Sequence, residues 1–133
     1  MKYNFTFLLL LLSFAAFAQQ DAWVYFNGKP NAQLFFDNPL TELSQKALDR
    51  RTSQNIALDI TDAPLEITYV SQIKVASGIT VMAQSKWLNA LHIQGTQANI
   101  NALKALSFVQ KIEFADKSLN TTAKKVSETK TAK

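Results

Sequence analysis

Two strand-like runs meet almost end to end in the second half of the chain, and they narrow the available folds more than any other feature. In Ile79–Ser85, Ile79, Val81 and Ala83 alternate with Thr80, Met82 and Gln84, the period-two pattern of a half-buried strand. Trp87–Gln94 reads as a second strand, with the corner at Ser85-Lys86. So short a connection joins antiparallel neighbours in a hairpin.

The flanking segments supply the rest of the fold. Ala22–Phe26 is aromatic and β-branched, hence a strand, and Asn27-Gly28-Lys29-Pro30 ends it with turn chemistry. Asn38-Pro39 opens a helix predicted over Leu40–Thr52, with Leu40, Leu43, Ala47 and Leu48 on one face. Asn55–Pro64 is a polar connector. A second helix follows over Leu65–Ala76 on the Leu65, Tyr69, Ile73 and Ala76 spacing, and Gly78 stops it. Thr96 caps a third helix, Gln97–Leu106, and Phe108–Phe114 closes as a strand. With the first helix set aside, the order is βαββαβ. The expected class is therefore α+β, a ferredoxin-like sandwich with one extra N-terminal helix.

The ends read differently from the body. Lys2, the apolar run Phe5–Phe17 and the Ala16-Phe17-Ala18 site form the three parts of a secretory signal peptide, cleaved after Ala18. The run is too short for a spanning helix, which needs about 20 residues. This predicts a secreted or periplasmic protein with no membrane segment in its mature form. There are no cysteines, which excludes disulfides and thiolate metal sites. The net charge of +4 sits at the C-terminus. Residues 19–116 are near neutral, whereas Lys117, Lys124, Lys125, Lys130 and Lys133 face only Glu128. Interleaved with Thr, Ser and Ala and free of Arg and aromatics, 117–133 reads as a disordered basic linker, not a nucleic-acid-binding arm. The expected layout is 1–18 signal peptide, 19–116 domain and 117–133 tail.

Catalytic chemistry is poorly supplied. His92 is the only histidine, and no Gly-x-Ser-x-Gly turn accompanies it. A lone histidine with scattered carboxylates makes no metal site. Three glycines do not build a phosphate-cradling loop. No cofactor is expected, and this segment is not expected to be an enzyme. Arg50-Arg51 reads as a solvated cationic helix end. What stands out is the sheet: both faces carry apolar residues. Trp23, Tyr25, Trp87, Leu91 and Ile93 are the candidates for a face that awaits a partner protein.

Several runs carry a family resemblance. Leu43-Ser44-x-Lys46-Ala47-Leu48-Asp49-Arg50-Arg51, Asp62-Ala63-Pro64-Leu65, Ser85-Lys86-Trp87-Leu88-Asn89-Ala90 and Leu106-Ser107-Phe108-Val109-x-x-Ile112-Glu113 resemble the N-terminal propeptide of secreted subtilisin-like serine peptidases of Bacteroidetes type. None of the catalytic motifs of those enzymes is present. The resemblance implies a prodomain that helps the peptidase fold and inhibits it, with an open sheet face on the catalytic domain, in cis or in trans. It further implies a C-terminal segment that blocks the cleft. By position the candidates for that segment are Phe114, Ala115, Asp116, Lys117, Ser118, Leu119 and Asn120. The chain is then the N-terminal part of a longer precursor or a prodomain on its own. The alternative is a free-standing periplasmic or extracellular protein-binding module.

Overall fold

The computed structural model describes residues 18–120. Apart from Ala18, the expected signal peptide lies outside the described residues, as does the tail from 121 onward.

Four strands, β1 (Gln20–Phe26), β2 (Ile79–Ser85), β3 (Ala90–Gly95) and β4 (Val109–Phe114), form one sheet in the order β2-β3-β1-β4. Every adjacent pair is antiparallel. This α+β arrangement is compatible with a ferredoxin-like fold. The chain also forms helices α1 (Ala32–Asp37), α2 (Gln45–Ser53), α3 (Ile67–Lys74) and α4 (Gln97–Ala102). Crossovers through α3 and α4 leave β1 and β4 as neighbours although they are distant in sequence.

Register decides what is buried. Ala22 faces Ile93 and Phe114, and Val24 faces Leu91 and Ile112. These residues share the face that α3 and α4 cover. There Val70, Ile73, Ile100 and Leu103 close the core with Phe26, Phe108 and Phe114. Full burial of Val24, Ile73, Leu91, Ile93 and Ile100 is worth roughly 1.5–3 kcal/mol each. At one end of the core the rings of Tyr69 and Phe108 stack at 4.3 Å, and Phe26 meets both edge-on. A bulge near Gln110 resets the β4 register, so Val109 opposite Phe26 returns to the core side.

Three sequence expectations need correction. The helix predicted over Leu40–Thr52 is a 3-10 turn at Pro39–Thr41 followed by the shorter α2, and α1 lies upstream of it where no helix was expected. Asn38 makes no side-chain cap; Ser44 caps α2 by accepting from the Ala47 amide at 3.2 Å. The α3 start moves to Glu66, whose carboxylate accepts from the Thr68 amide. The strand predicted from Trp87 begins at Ala90, because Lys86–Asn89 is a four-residue turn with Asn89 left-handed at φ 51°. Asparagine tolerates that conformation better than most residues.

Close backbone approach fixes one end of the hairpin. Gly78 has φ 67°, and a Cβ on Gly95 would lie 2.7 Å from the Gly78 carbonyl oxygen. Gly95→Ala is expected to destabilise the chain by about 2 kcal/mol through forced overpacking. The melting temperature should drop by roughly 10 °C, as read by circular dichroism. An unchanged melting temperature would show that the backbones separate freely there.

Candidate functional site

The sheet face opposite α3 and α4 is built by the alternate residues of the same strands. Trp23 pairs with His92 and Glu113, and Tyr25 pairs with Ala90 and Lys111. The Trp23 and His92 rings lie 5.4 Å apart at 31°, and His92 Nε2 lies 3.1 Å from Asp21 Oδ1. Lys111 Nζ sits 4.3 Å above the Tyr25 ring and donates to Glu113 Oε1 at 2.8 Å. The Tyr25 hydroxyl bonds to Glu113 and titrates above its usual value, chiefly for that reason. Glu113 is held below the usual carboxylate range, first by the Lys111 hydrogen bond and then by Tyr25. Lys111 is raised by the same bond. The surface is thus aromatic in area and polar at its edges, a composition enriched at protein interfaces.

Of the residues expected together on one sheet face, Trp23 and Tyr25 lie on the side opposite α3 and α4. Leu91 and Ile93 are corrected. Both are fully buried on the helix side, because they share a face with Val24 and Ala22. Trp87 is in the turn, not in the sheet. His92, Lys111 and Glu113 belong to the face and were missed as members. The signal was polar alternation: His92 and Gln94 against Leu91 and Ile93 in β3, and Lys111 and Glu113 against Ile112 and Phe114 in β4.

The stretch Phe114–Asn120 is folded back on the body. Phe114 is buried in the core and Leu119 packs against it. The Asn120 amide clasps the Phe114 backbone, accepting from its N–H at 2.7 Å and donating to its carbonyl at 3.0 Å. Asp116 accepts from the Ser118 amide and hydroxyl, which lowers its pKa. Ala115 and Lys117 complete this short connection, and the Ala115 amide reaches the Asp21 carbonyl.

Beside the hairpin turn, polar contacts pin the segment that carries α1 and α2. Lys29 is only 9% exposed. Its ammonium donates to the carbonyls of Lys86 at 2.7 Å, Ile60 at 2.9 Å and Ala63, with Thr61 at 3.5 Å. Burial lowers its pKa, and nearby Lys86 adds to the effect. Arg51 grips Asp62 with two bonds of 2.5 and 3.1 Å, so Arg51 is a structural partner and not a solvated helix end. A small apolar cluster of Ala32, Phe35 and Ala63 lies beneath. Neither a turn lysine between Gly28 and Pro30 nor its four carbonyls had a signal in the sequence.

These features define a class: a helix-backed antiparallel sheet whose other face presents aromatic side chains. Among the described residues no cluster of His, Asp or Glu is placed to hold a metal ion, and no helix is long and apolar enough to cross a membrane. The chain belongs to the Peptidase S8 propeptide domain family of Bacteroidota, which it matches over residues 21–132. No curated protein and no solved structure matches it. A propeptide domain is not itself catalytic, and this family ties the chain to a subtilisin-like peptidase.

Lys29 generates a test with a defined sign. Lys29→Met removes the donor to four carbonyls and should cost about 2 kcal/mol at pH 7. The folded pKa lies below 10.5, so between those two values the unfolded state holds the proton that the folded state has released. Wild-type stability should therefore rise with pH relative to the variant across that window. Denaturant titrations from pH 7 to 10.5 measure the difference, and a flat difference would refute a buried, charged Lys29.

Proposed function

We propose that this chain is the prodomain of an exported subtilisin-like serine peptidase, and that it chaperones the folding of the catalytic domain and then inhibits it. Family membership across residues 21–132 carries the reading. The open aromatic face supports it, because such a surface loses free energy when a partner removes it from water. Export would proceed through the leader at 1–18, cleaved after Ala18, into the periplasm or medium. The catalytic domain, in cis or in trans, would dock on Trp23 and Tyr25, with Lys111 and His92 at their sides.

The cleft-blocking segment is best assigned to chain beyond Asn120. Phe114 could enter a cleft only by leaving the core, and Leu119 and Asn120 hold the connection against the body. A preformed sheet face offers the folding peptidase a template, and the same contacts then keep the prodomain in place as an inhibitor.

The test is inhibition and refolding. The full chain, added to mature Bacteroidota subtilisin-like peptidases that carry propeptides of this family, should inhibit peptide hydrolysis and raise the refolding yield of denatured enzyme. Trp23→Ala should raise the inhibition constant about ten-fold or more, since truncation of an interface tryptophan commonly costs over 1 kcal/mol. Absence of both effects with the wild-type chain would remove the proposal.

A further inference from the structure

We propose that the Lys86–Asn89 tip of the hairpin is a preformed anchor whose Trp87 and Leu88 side chains enter an apolar pocket, rimmed by carboxylate, on the surface of the peptidase catalytic domain. This rests on the function proposed above and adds a second, separate contact to the sheet face.

Every neighbour of these two side chains has an internal structural duty. Ser85 Oγ accepts from the Leu88 amide at 3.2 Å. The Lys86 carbonyl accepts from the buried Lys29 ammonium. Asn89 takes the left-handed conformation, and its Nδ2 donates to the carbonyls of Phe26 and Gly28, both at 3.1 Å. The Phe26 amide returns a bond to the Asn89 carbonyl at 2.8 Å. Ala90 is fully buried. Trp87 and Leu88 alone point away, 71% and 51% exposed. A buried ammonium and a left-handed asparagine both cost free energy, and here they hold a turn that displays two large apolar side chains to water.

Tryptophan held in one geometry gives up little entropy on burial, and it is enriched among residues that dominate binding energy. The tip also lies beside the open face. Its flanking residues Ser85 and Ala90 pair with each other, and Ala90, itself buried, pairs with Tyr25, so a partner on Tyr25 is one strand position from the tip. Lys86 stands in the tip itself, and among the described residues no salt bridge engages its ammonium. That charge calls for carboxylate at the pocket rim. A second copy of this chain fits less well, because a tip inserted into another surface is a head-to-tail contact that builds open chains.

The experiment uses the full chain with 5-fluorotryptophan at its two tryptophans, and an unlabelled peptidase that the wild type inhibits. The fluorine resonance absent from Trp87→Phe should shift on complex formation. Trp87→Ala should raise the inhibition constant at least ten-fold with a melting temperature within 2 °C of wild type, and Leu88→Ala should raise it less. An unmoved Trp87 resonance, or a Trp87→Ala chain that inhibits as well as wild type, would overturn the anchor and leave the prodomain reading intact. Failure of the wild-type chain to bind or inhibit any such peptidase would overturn both. Concentration-dependent self-association that Trp87→Ala abolishes would assign the tip to a second copy instead and refute the proposed partner.

Discussion

β1 is the constraint on which the other parts depend. It is a central strand, with β3 on one edge and β4 on the other, and it alone joins the hairpin to the closing strand. A strand in that position cannot slip by one residue without turning its buried set outward. Ala22, Val24 and Phe26 inside therefore require Asp21, Trp23 and Tyr25 outside, and the partners follow the same parity. Leu91 and Ile93 are carried inward with Val24 and Ala22, while His92 and Lys111 are carried outward with Trp23 and Tyr25. Stability and surface chemistry are two faces of one pairing.

The order of strands and helices was legible because each was written in a simple period. Alternation around Ile112 and the Thr96 cap agree with their structural roles, whereas α3 ends at Lys74 with Val75 as its C-cap, short of Gly78, and a register shift after Val81 pairs Ala83 with His92. The legible part ended where tertiary contacts override local pattern. A strand counted from Trp87 puts Trp87, Leu91 and Ile93 on one side. Alternation breaks at left-handed Asn89, however, and nothing in periodicity alone says which side the helices cover. The six residues of α1 are too few to show a helical stripe, so the longer run of leucines after Pro39 looked like the start. Family motifs were legible through residue identity, which is a different kind of information from hydrophobic pattern.

The segment between β1 and α3 shows how polar residues can do what a small core cannot. Its apolar cluster holds only Ala32, Phe35 and Ala63 as buried members, too little to fix the orientation of two short helices. The Lys29 carbonyl cage and the Arg51–Asp62 pair supply direction that apolar contact lacks. Both contacts converge on the 60–63 stretch, and the cage extends one bond further to Lys86. The insertion and the hairpin turn are thereby one mechanical unit.

A face proposed to receive a partner must also survive in water without one. Trp23 and Tyr25 on a bare sheet would invite nonspecific association. Here each ring is shared with a charged or polar neighbour: His92 covers part of Trp23, Lys111 lies over Tyr25, and Asp21 and Glu113 bind those neighbours in turn. The contacts are exposed and therefore weak individually, so a partner with better complementarity can displace them at small cost. The hairpin tip follows the opposite strategy, because its apolar side chains are uncovered and its backbone is locked. The proposed docking would draw on both kinds of surface, one adaptable and one preset, and β1 joins them: Tyr25 ends the adaptable face at Ala90, and Phe26 bonds to Asn89 in the rigid turn.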